Sequence, residues 1–304
     1  MKIQLVLVSL LISGSLFAKD RFSTDHFFKK LQDSANVPAD ASPEVKSSID
    51  THAQTLTSIT QKAQQGGLAA LPQANAQMES AQKQLNQTLG DTLGSLDQKE
   101  LEDIHSQISD ELREEILNSS TGQMIKDLNV QGDQLKKVTP LVKSQMEKIS
   151  DMFSTAWASG GIAGLQDIQS NLEGLQTDFD KQISSVLTKD QFQKMQSERN
   201  KLISQFQTLL EDNDVARIVS QLGDLGEHKD EIEGILKDGF SQKADILKNS
   251  KDQLKNQARG TLDQIADVDG QVQGKVKGIL GDKAGDTVGE YQKKGLASLR
   301  DRLK

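Results

Sequence analysis

The stretch LKKVTPLVKSQMEKISDMFSTA, residues 135–156, decides the fold class, because its apolar residues recur at the spacing of an α-helix. Successive members lie three and four residues apart, whereas a strand facing a core alternates every second residue. The stripe consists of Leu135, Val138, Val142, Gln145, Ile149, Met152 and Ala156, of which only Gln145 is polar. The stretch therefore predicts a helix that buries a narrow seam against other helices.

Three further segments carry the same stripe, at 101–116, 165–186 and 192–209. Turn-forming pairs such as Gly66-Gly67 and Gly160-Gly161 separate the striped segments, and short connections between helices favour antiparallel neighbours. Aromatic residues make up 4% of the chain, which suits long helices better than a β-sandwich. We therefore predict an all-α fold, an elongated antiparallel helical bundle with coiled-coil-like packing.

The order of the turn signals indicates an internal duplication. Three pairs of segments match in order: 43–47 with 140–144, 66–71 with 160–165, and 96–101 with 187–192. Chance similarity between biased helical sequences is the alternative for any single match, whereas three collinear matches favour duplication. We predict two helical repeat units of about 95 residues, 43–139 and 140–233, and a diverged partial third unit at 234–304.

The N-terminus carries the pattern of a cleavable secretory signal peptide, which we predict for residues 1–18. Lys2 supplies the positive charge, an apolar run follows it, and Ala18 offers a small residue for cleavage before Lys19. A membrane anchor is the alternative, but the segment between the two lysines spans roughly 24 Å as a helix, short of the ~30 Å hydrocarbon core. Residues 19–42 lack periodicity, so we predict a flexible tether there.

Cysteine content and charge restrict the environment and the partners. The chain has no cysteine, which excludes a lipid-modified N-terminal cysteine, a disulfide framework and thiolate chemistry. The formal net charge is −8 and becomes one unit more negative when Lys2 is removed. Such a charge disfavours nucleic acid and anionic membranes as electrostatic partners. We therefore expect a soluble periplasmic or extracellular protein that is not a lipoprotein.

No arrangement of residues in the sequence points to catalysis. The four histidines are scattered, and none has a second histidine or a cysteine at the spacing of a zinc site. The glycine loop of phosphate sites, the nucleophile elbow and the zinc-protease motif are also absent. We therefore expect a non-enzymatic protein with no cofactor, no metal and no evident small-molecule substrate.

Residues 187–191, Leu-Thr-Lys-Asp-Gln, resemble the L-T-x-x-Q motif of the helical periplasmic chaperones and stress adaptors of the Spy and CpxP type. The resemblance implies a helical cradle that shields unfolded clients. Helix-start chemistry is the alternative explanation of the same residues. In that case Thr188 caps a helix, Gln191 reaches back to the cap amide, and Leu187 packs against Phe192.

The uncharged segment 152–166 surrounds Gly160-Gly161 and includes the one tryptophan. One interpretation is a hydrophobic hairpin tip that contacts a partner or a membrane. The other is a tight buried turn, which we favour because Gly66-Gly67 occupies the equivalent place without a tryptophan. About fifteen residues cannot span a bilayer, so membrane contact would be peripheral only. The candidate contact residues are Trp157, Phe153, Ile162 and Leu165.

Glycines recur near the C-terminus at spacings of three and four residues, and on one helix they would form a smooth packing face. They are Gly270, Gly274, Gly278, Gly281, Gly285 and Gly289. Charged residues between them forbid a membrane span, so we expect either close packing on the body or on another copy, or a frayed tail.

The sequence therefore predicts an exported, non-enzymatic helical binding or scaffold protein that acts through a protein–protein contact surface or self-association. A chaperone or stress adaptor of the L-T-x-x-Q type is the first alternative. A membrane-active helical effector is the second.

Overall fold

A computed structural model describes residues 43–93, 98–250 and 254–302, and the secondary structure of these residues is helical throughout, without a strand. The all-α prediction is confirmed. The predicted signal peptide, residues 1–18, and the predicted tether, residues 19–42, lie outside the described residues and stay predictions.

The helices follow one another through short connections. They are α1 (Pro43–Gly66), α2 (Leu71–Leu93), α3 (Gln98–Leu128), α4 (Gly132–Ser159), α5 (Gly161–Ile183), α6 (Lys189–Leu222), α7 (Lys229–Asn249), α8 (Leu254–Leu280) and α9 (Asp282–Arg302). Two short 3₁₀ turns, Gly67–Ala70 and Gly226–His228, lie before α2 and α7.

The chain divides into two compact units. Among the described residues, unit 1 comprises 43–93, 98–150 and 183–198, and unit 2 comprises 151–182, 199–250 and 254–302. The first part of α4 and the first part of α6 belong to unit 1, and their remaining parts belong to unit 2.

Unit 1 is built around α1, α2 and α3, which contact each other along their apolar stripes. The 3₁₀ turn after α1 places its Leu68 and Ala69 in the same core, both almost without exposure. The largest fully buried side chains of this unit are Ile49, Leu56, Leu68, Leu71, Leu89, Leu112, Leu128 and Ile149. Burying such side chains is worth about 1.5–3 kcal/mol each, so the stripes account for the packing of unit 1.

Unit 2 contains the helical hairpin of α8 and α9, and α7 packs against α8. One apolar cluster holds α6, α7, α8 and α9 together. Its buried members are Val215, Ile218, Leu225, Ile232, Leu236, Val268, Val272, Val276 and Val288. Phe153 of α4 and Phe206 of α6 stack with ring centroids 4.0 Å apart and form a second packed centre.

The two glycine pairs lie at corresponding places in the order of the helices, one at the end of α1 and the other directly after α4. Their backbones differ at the first glycine, where Gly66 is right-handed with φ of −84° and Gly160 is left-handed with φ of +68°. The second glycines are both left-handed, Gly67 with φ of +60° and Gly161 with φ of +43°. The predicted boundary at residue 140 falls inside α4, which begins at Gly132 and includes Pro140. The boundary at 233 likewise falls inside α7. The duplication therefore stays a prediction.

Candidate functional site

Several polar side-chain contacts of unit 2 lie around the turn between α4 and α5. Gly160 and Gly161 both adopt left-handed backbone conformations there, which side chains with a Cβ rarely adopt. A Cβ on Gly161 would lie 2.8 Å from Oδ1 of Asp214, so the carboxylate of α6 lies directly against the start of α5. The positive end of the α5 dipole favours a negative charge at that position.

Asp214 is buried, with 7% of its surface exposed, and it joins α6 to α9. The hydroxyl of Tyr291 donates a hydrogen bond to Asp214 Oδ1 at 2.7 Å. Burial raises the pKa of Asp214, and the Tyr291 hydrogen bond partly opposes that rise. Burial and the neighbouring carboxylate raise the pKa of Tyr291 above its ordinary range. The tyrosine therefore stays protonated and holds α9 on α6.

A second buried pair joins α7 to α8 in the same unit. Lys243 Nζ lies 2.9 Å from Asp269 Oδ1, and both side chains are almost fully buried. Burial raises the pKa of Asp269, while the lysine charge opposes the rise. Perturbed carboxyl groups of this kind also occur at catalytic sites. Here Asp214 and Asp269 each have a side-chain partner on another helix, Tyr291 and Lys243 respectively.

The end of α9 is fixed to the α4–α5 turn by a third group of contacts. Arg302 donates to Asp167 Oδ1 of α5 and, at 2.8 Å, to the hydroxyl of Ser159, the last residue of α4. Ser159 in turn donates to Asp167 Oδ2 at 2.5 Å. The three side chains connect both sides of the turn to the last helix of the chain.

The structure places the four candidate contact residues in the core of unit 2. Phe153, Trp157, Ile162 and Leu165 are 6% exposed or less. Trp157 packs at a tilt on Phe206, with ring centroids 6.4 Å apart. The interpretation as an exposed hydrophobic tip is therefore wrong for this structure, and the buried turn that the sequence analysis favoured is present. The rings of Phe153 and Trp157 pack against Phe206 inside unit 2.

The six C-terminal glycines do not share one helix, because Gly281, with φ of +88°, separates α8 from α9. In α9, Gly285 and Gly289 are buried, and an added Cβ would lie 2.7 Å from side-chain atoms of Lys277 and Gln273 in α8. In α8, by contrast, Gly270, Gly274 and Gly278 are exposed, with nothing within 4 Å of an added Cβ. The predicted packing face is thus divided into a close helix contact and an open face.

Thr188 and Gln191 of the L-T-x-x-Q segment form a capping box in unit 1. The Thr188 amide donates to Gln191 Oε1 at 3.0 Å, and the Gln191 amide donates to Thr188 Oγ1 at 3.3 Å. Gln191 Nε2 also donates to the Leu128 carbonyl at the end of α3, at 3.0 Å. Gln134 of α4 donates to Gln191 Oε1 at 2.8 Å. Helix capping and helix docking together explain these two residues.

A buried histidine pair in unit 1 was missed by the sequence analysis. His52 of α1 and His105 of α3 have their Nε2 atoms 3.1 Å apart, although 53 positions separate them in sequence. Burial lowers the pKa of His52 to about 3, with a further contribution from the charge of His105, and burial lowers that of His105 to about 4. The position of His105 at the edge of a stripe was the only available signal, because spacing along the chain does not reveal contacts between helices.

Among the residues that the structure describes, no three metal-binding side chains lie together as a metal site. No helix within 43–93, 98–250 and 254–302 combines the length and the apolar character needed to cross a membrane. No protein family, no curated protein sequence and no solved structure matches the chain.

Proposed function

We propose that this chain is a non-enzymatic binding or scaffold protein that acts through the polar outer faces of its helices. One observation carries the proposal. The residues that were candidates for a hydrophobic contact surface, Phe153, Trp157, Ile162 and Leu165, are buried inside unit 2. Among the described residues, α8 offers an exposed face that consists of polar residues, glycines and Ala266. Contact through such faces joins helical proteins to partners or to further copies.

The exposed glycines of α8 indicate which face to test first. Gly270, Gly274 and Gly278 each weaken the helix by about 0.5–1 kcal/mol relative to alanine. Within the described residues they allow no close approach that would offset this cost. A contact to a second chain would supply the missing stabilisation, since small residues let helix backbones approach closely.

The test replaces these three glycines by alanine in one variant. Its matched control carries Gly174→Ala and Gly234→Ala, which are exposed glycines of α5 and α7 with equally open surroundings. Both variants gain helix stability, and thermal unfolding measures the gain. Only the α8 variant is expected to form a smaller assembly, measured as a lower molar mass in light scattering. Chemical cross-linking is likewise expected to lose a product of fixed stoichiometry only in this variant.

Two results would overturn the proposal. One is a wild-type chain that stays monomeric at every concentration and cross-links to the same proteins as the α8 variant. The other is a hydrolytic or transfer activity that copurifies with the chain and disappears with a single substitution. The result expected is an assembly that depends on the α8 face and on neither control glycine.

We also propose that the chain is exported and works in the periplasm or outside the cell. The support is the pattern of residues 1–18 and the absence of cysteine from the sequence. Mass spectrometry of the protein from an envelope or culture fraction tests it. The expected N-terminus is Lys19, and an intact Met1 in the mature protein would contradict the proposal.

A further inference from the structure

The connection between α8 and α9 in unit 2 consists of one residue, Gly281, between Leu280 and Asp282. Its φ of +88° is a backbone conformation that residues with a Cβ rarely adopt. The turn at this residue makes α8 and α9 an antiparallel hairpin. Short hinges of this kind favour the exchange of an element between two copies of a chain, because opening the turn joins the flanking elements directly.

The helical phase of the sequence continues through this turn. Six glycines from Gly270 to Gly289 recur at spacings of 4-4-3-4-4, and Gly281 is a regular member of the series. At 3.6 residues per turn, these positions fall within about 100° of arc on an uninterrupted helix. The sequence of 254–302 is therefore compatible with one long helix as well as with the hairpin.

The contacts between α8 and α9 are symmetric about the hinge residue. A Cβ on Gly285 would lie 2.7 Å from the Cβ of Lys277, and these two residues are each four positions from Gly281. A Cβ on Gly289 would lie 2.7 Å from Nε2 of Gln273, and these two are each eight positions from Gly281. Two uninterrupted helices that pack antiparallel across a two-fold axis at Gly281 have the same pairs, each formed between one copy and the other.

The remaining polar contacts of α9 lie away from the hinge. Tyr291 donates to Asp214 of α6, and Arg302 donates to Asp167 of α5. The two donors are ten and twenty-one positions from Gly281. These contacts do not depend on the connection between α8 and α9, so α9 of a second copy forms the same ones in the same place.

We propose that two copies of this chain exchange α9, so that α8 and α9 of each copy join into one helix and α9 packs on unit 2 of the other copy. Gly278, Gly281 and Ala284 lie where the two hinge segments cross, and their small size lets the backbones approach closely. The exchange rests on the proposed function, since it names a second copy as the partner of unit 2. It assigns the contact to α9 and the hinge, and not to the α8 face alone.

The residue at position 281 sets the balance between the hairpin and the long helix. Glycine tolerates the positive φ of the hairpin, and it disfavours the continuous helix. Alanine is strained in the hairpin and favoured in the helix, so both effects act toward exchange. Each hinge contributes a factor of about ten, and a dimer has two hinges. Gly281→Ala is therefore expected to lower the dimer dissociation constant by about a hundredfold.

The first experiment measures molar mass by light scattering over a range of concentrations of the full chain. Gly281→Ala is expected to dimerise at about a hundredfold lower concentration than the wild type. Gly223→Ala is the matched control, because Gly223 has φ of +82° and nothing within 4 Å of an added Cβ but lies in the turn after α6. This control is expected to dimerise like the wild type. Equal dimerisation of the two variants would overturn the proposal, as would a wild type and a Gly281→Ala variant that stay monomeric at every concentration.

A disulfide distinguishes exchange from association of two closed chains. The chain has no cysteine, and a Cβ on Gly295 of α9 would lie 3.7 Å from Cγ2 of Ile162 in α5, within reach of a disulfide. In the double variant Ile162→Cys with Gly295→Cys, an oxidised monomer carries the bond within one chain. It is expected to lose the ability to dimerise. The oxidised dimer is expected to carry the bond between chains and to migrate as a covalent dimer in a denaturing gel without reductant.

Two outcomes of the disulfide experiment contradict the exchange. One is an oxidised native dimer that separates into monomers in the denaturing gel. The other is an oxidised monomer that dimerises as readily as the reduced one. Either outcome leaves the α8 face as the contact between copies, so the proposed function is then judged separately by its own glycine variant.

Dilution of the isolated wild-type dimer provides a test that needs no variant. Exchange requires α9 to leave unit 2 before the chains separate, so dissociation is expected to be slow and to accelerate steeply with temperature, as unfolding does. Molar mass followed over time after dilution measures this rate. Dissociation within the mixing time, with little dependence on temperature, would refute the exchange even where the cysteine variant does not fold.

Discussion

Gly164 in α5 provides a sharp test of how the α4–α5 hairpin is packed. Its backbone lies so close to α4 that a Cβ at this position would overlap the carbonyl oxygen of Ala156 and come within 3.0 Å of Leu210 Cδ2. A leucine methyl group can move aside, but a helix backbone cannot do so without shifting the whole contact. Gly164→Ala should therefore separate α4 from α5.

The magnitude follows from two opposing contributions. Overpacking a well-packed core costs about 1–3 kcal/mol, and a clash with backbone belongs at the upper end of that range. Replacing glycine by alanine stabilises the helix by about 1 kcal/mol, because alanine has the higher helix propensity. We expect a net loss of about 2 kcal/mol, which lowers the melting temperature by roughly 4–8 °C for a unit of this size.

The assay is thermal unfolding followed by the fluorescence of Trp157, which is buried at the same hairpin. Gly174→Ala is the matched control, because Gly174 lies on the same helix with nothing within 4 Å of an added Cβ. The control should raise the melting temperature by roughly 1–3 °C, since only the propensity gain of about 0.5–1 kcal/mol remains. If both variants are stabilised alike, α4 and α5 do not approach as described, and the assignment of this hairpin to the core is refuted.

Three further predictions concern polar contacts. Gln191→Ala should lower the free energy of unfolding by about 1–2 kcal/mol, because it removes the capping box and the hydrogen bond to the end of α3. In the same urea unfolding experiment, the exposed control Gln193→Ala should change this free energy by less than about 0.5 kcal/mol. Tyr291→Phe should destabilise unit 2 more at pH 7.5 than at pH 4.5, because the orphaned Asp214 carboxylate is a penalty only while it is ionised; an equal loss in Trp157 melts at both values would contradict this. Arg302→Gln should raise hydrogen exchange in the last turn of α9 while costing less than about 1 kcal/mol globally, and unchanged exchange there would show that the contact is not formed.

The helices were predictable from sequence because their evidence is local. The stripe at residues 135–156 fixes one buried face of α4, and the stripe at 165–186 does the same for α5 up to its end at Ile183. Turn chemistry was equally local: the capping box at Thr188 and Gln191 follows from residues three apart. Helix ends were less predictable, since Pro140 lies inside α4 although proline usually marks a helix start or stop.

The polar contacts of the candidate site could not be predicted because they join residues far apart in the chain. His52 and His105 are separated by 53 positions, Asp214 and Tyr291 by 77, and Ser159 and Arg302 by 143. An apolar stripe indicates that one face of a helix is buried. It does not indicate which helix covers that face or which residues of the two helices lie opposite each other. The same limit explains why Trp157 could be read either as a surface contact or as a core residue.

The buried polar pairs also determine the register between neighbouring helices, which the apolar stripes alone do not fix. Seams of leucine, isoleucine and valine pack almost equally well when one helix slides by a turn, because the pattern nearly repeats. Such a slide would leave Asp214 buried without the hydroxyl of Tyr291, and Lys243 buried without Asp269. An unpaired buried charge is strongly destabilising, while the intact pair contributes little net stability. The buried pairs of unit 2 therefore select one helix register among several that the stripes permit. Replacing Lys243 and Asp269 together by leucines should keep the melting temperature within a few degrees of the wild-type value. The same change should broaden the NMR resonances of α7 and α8, because more than one register becomes populated.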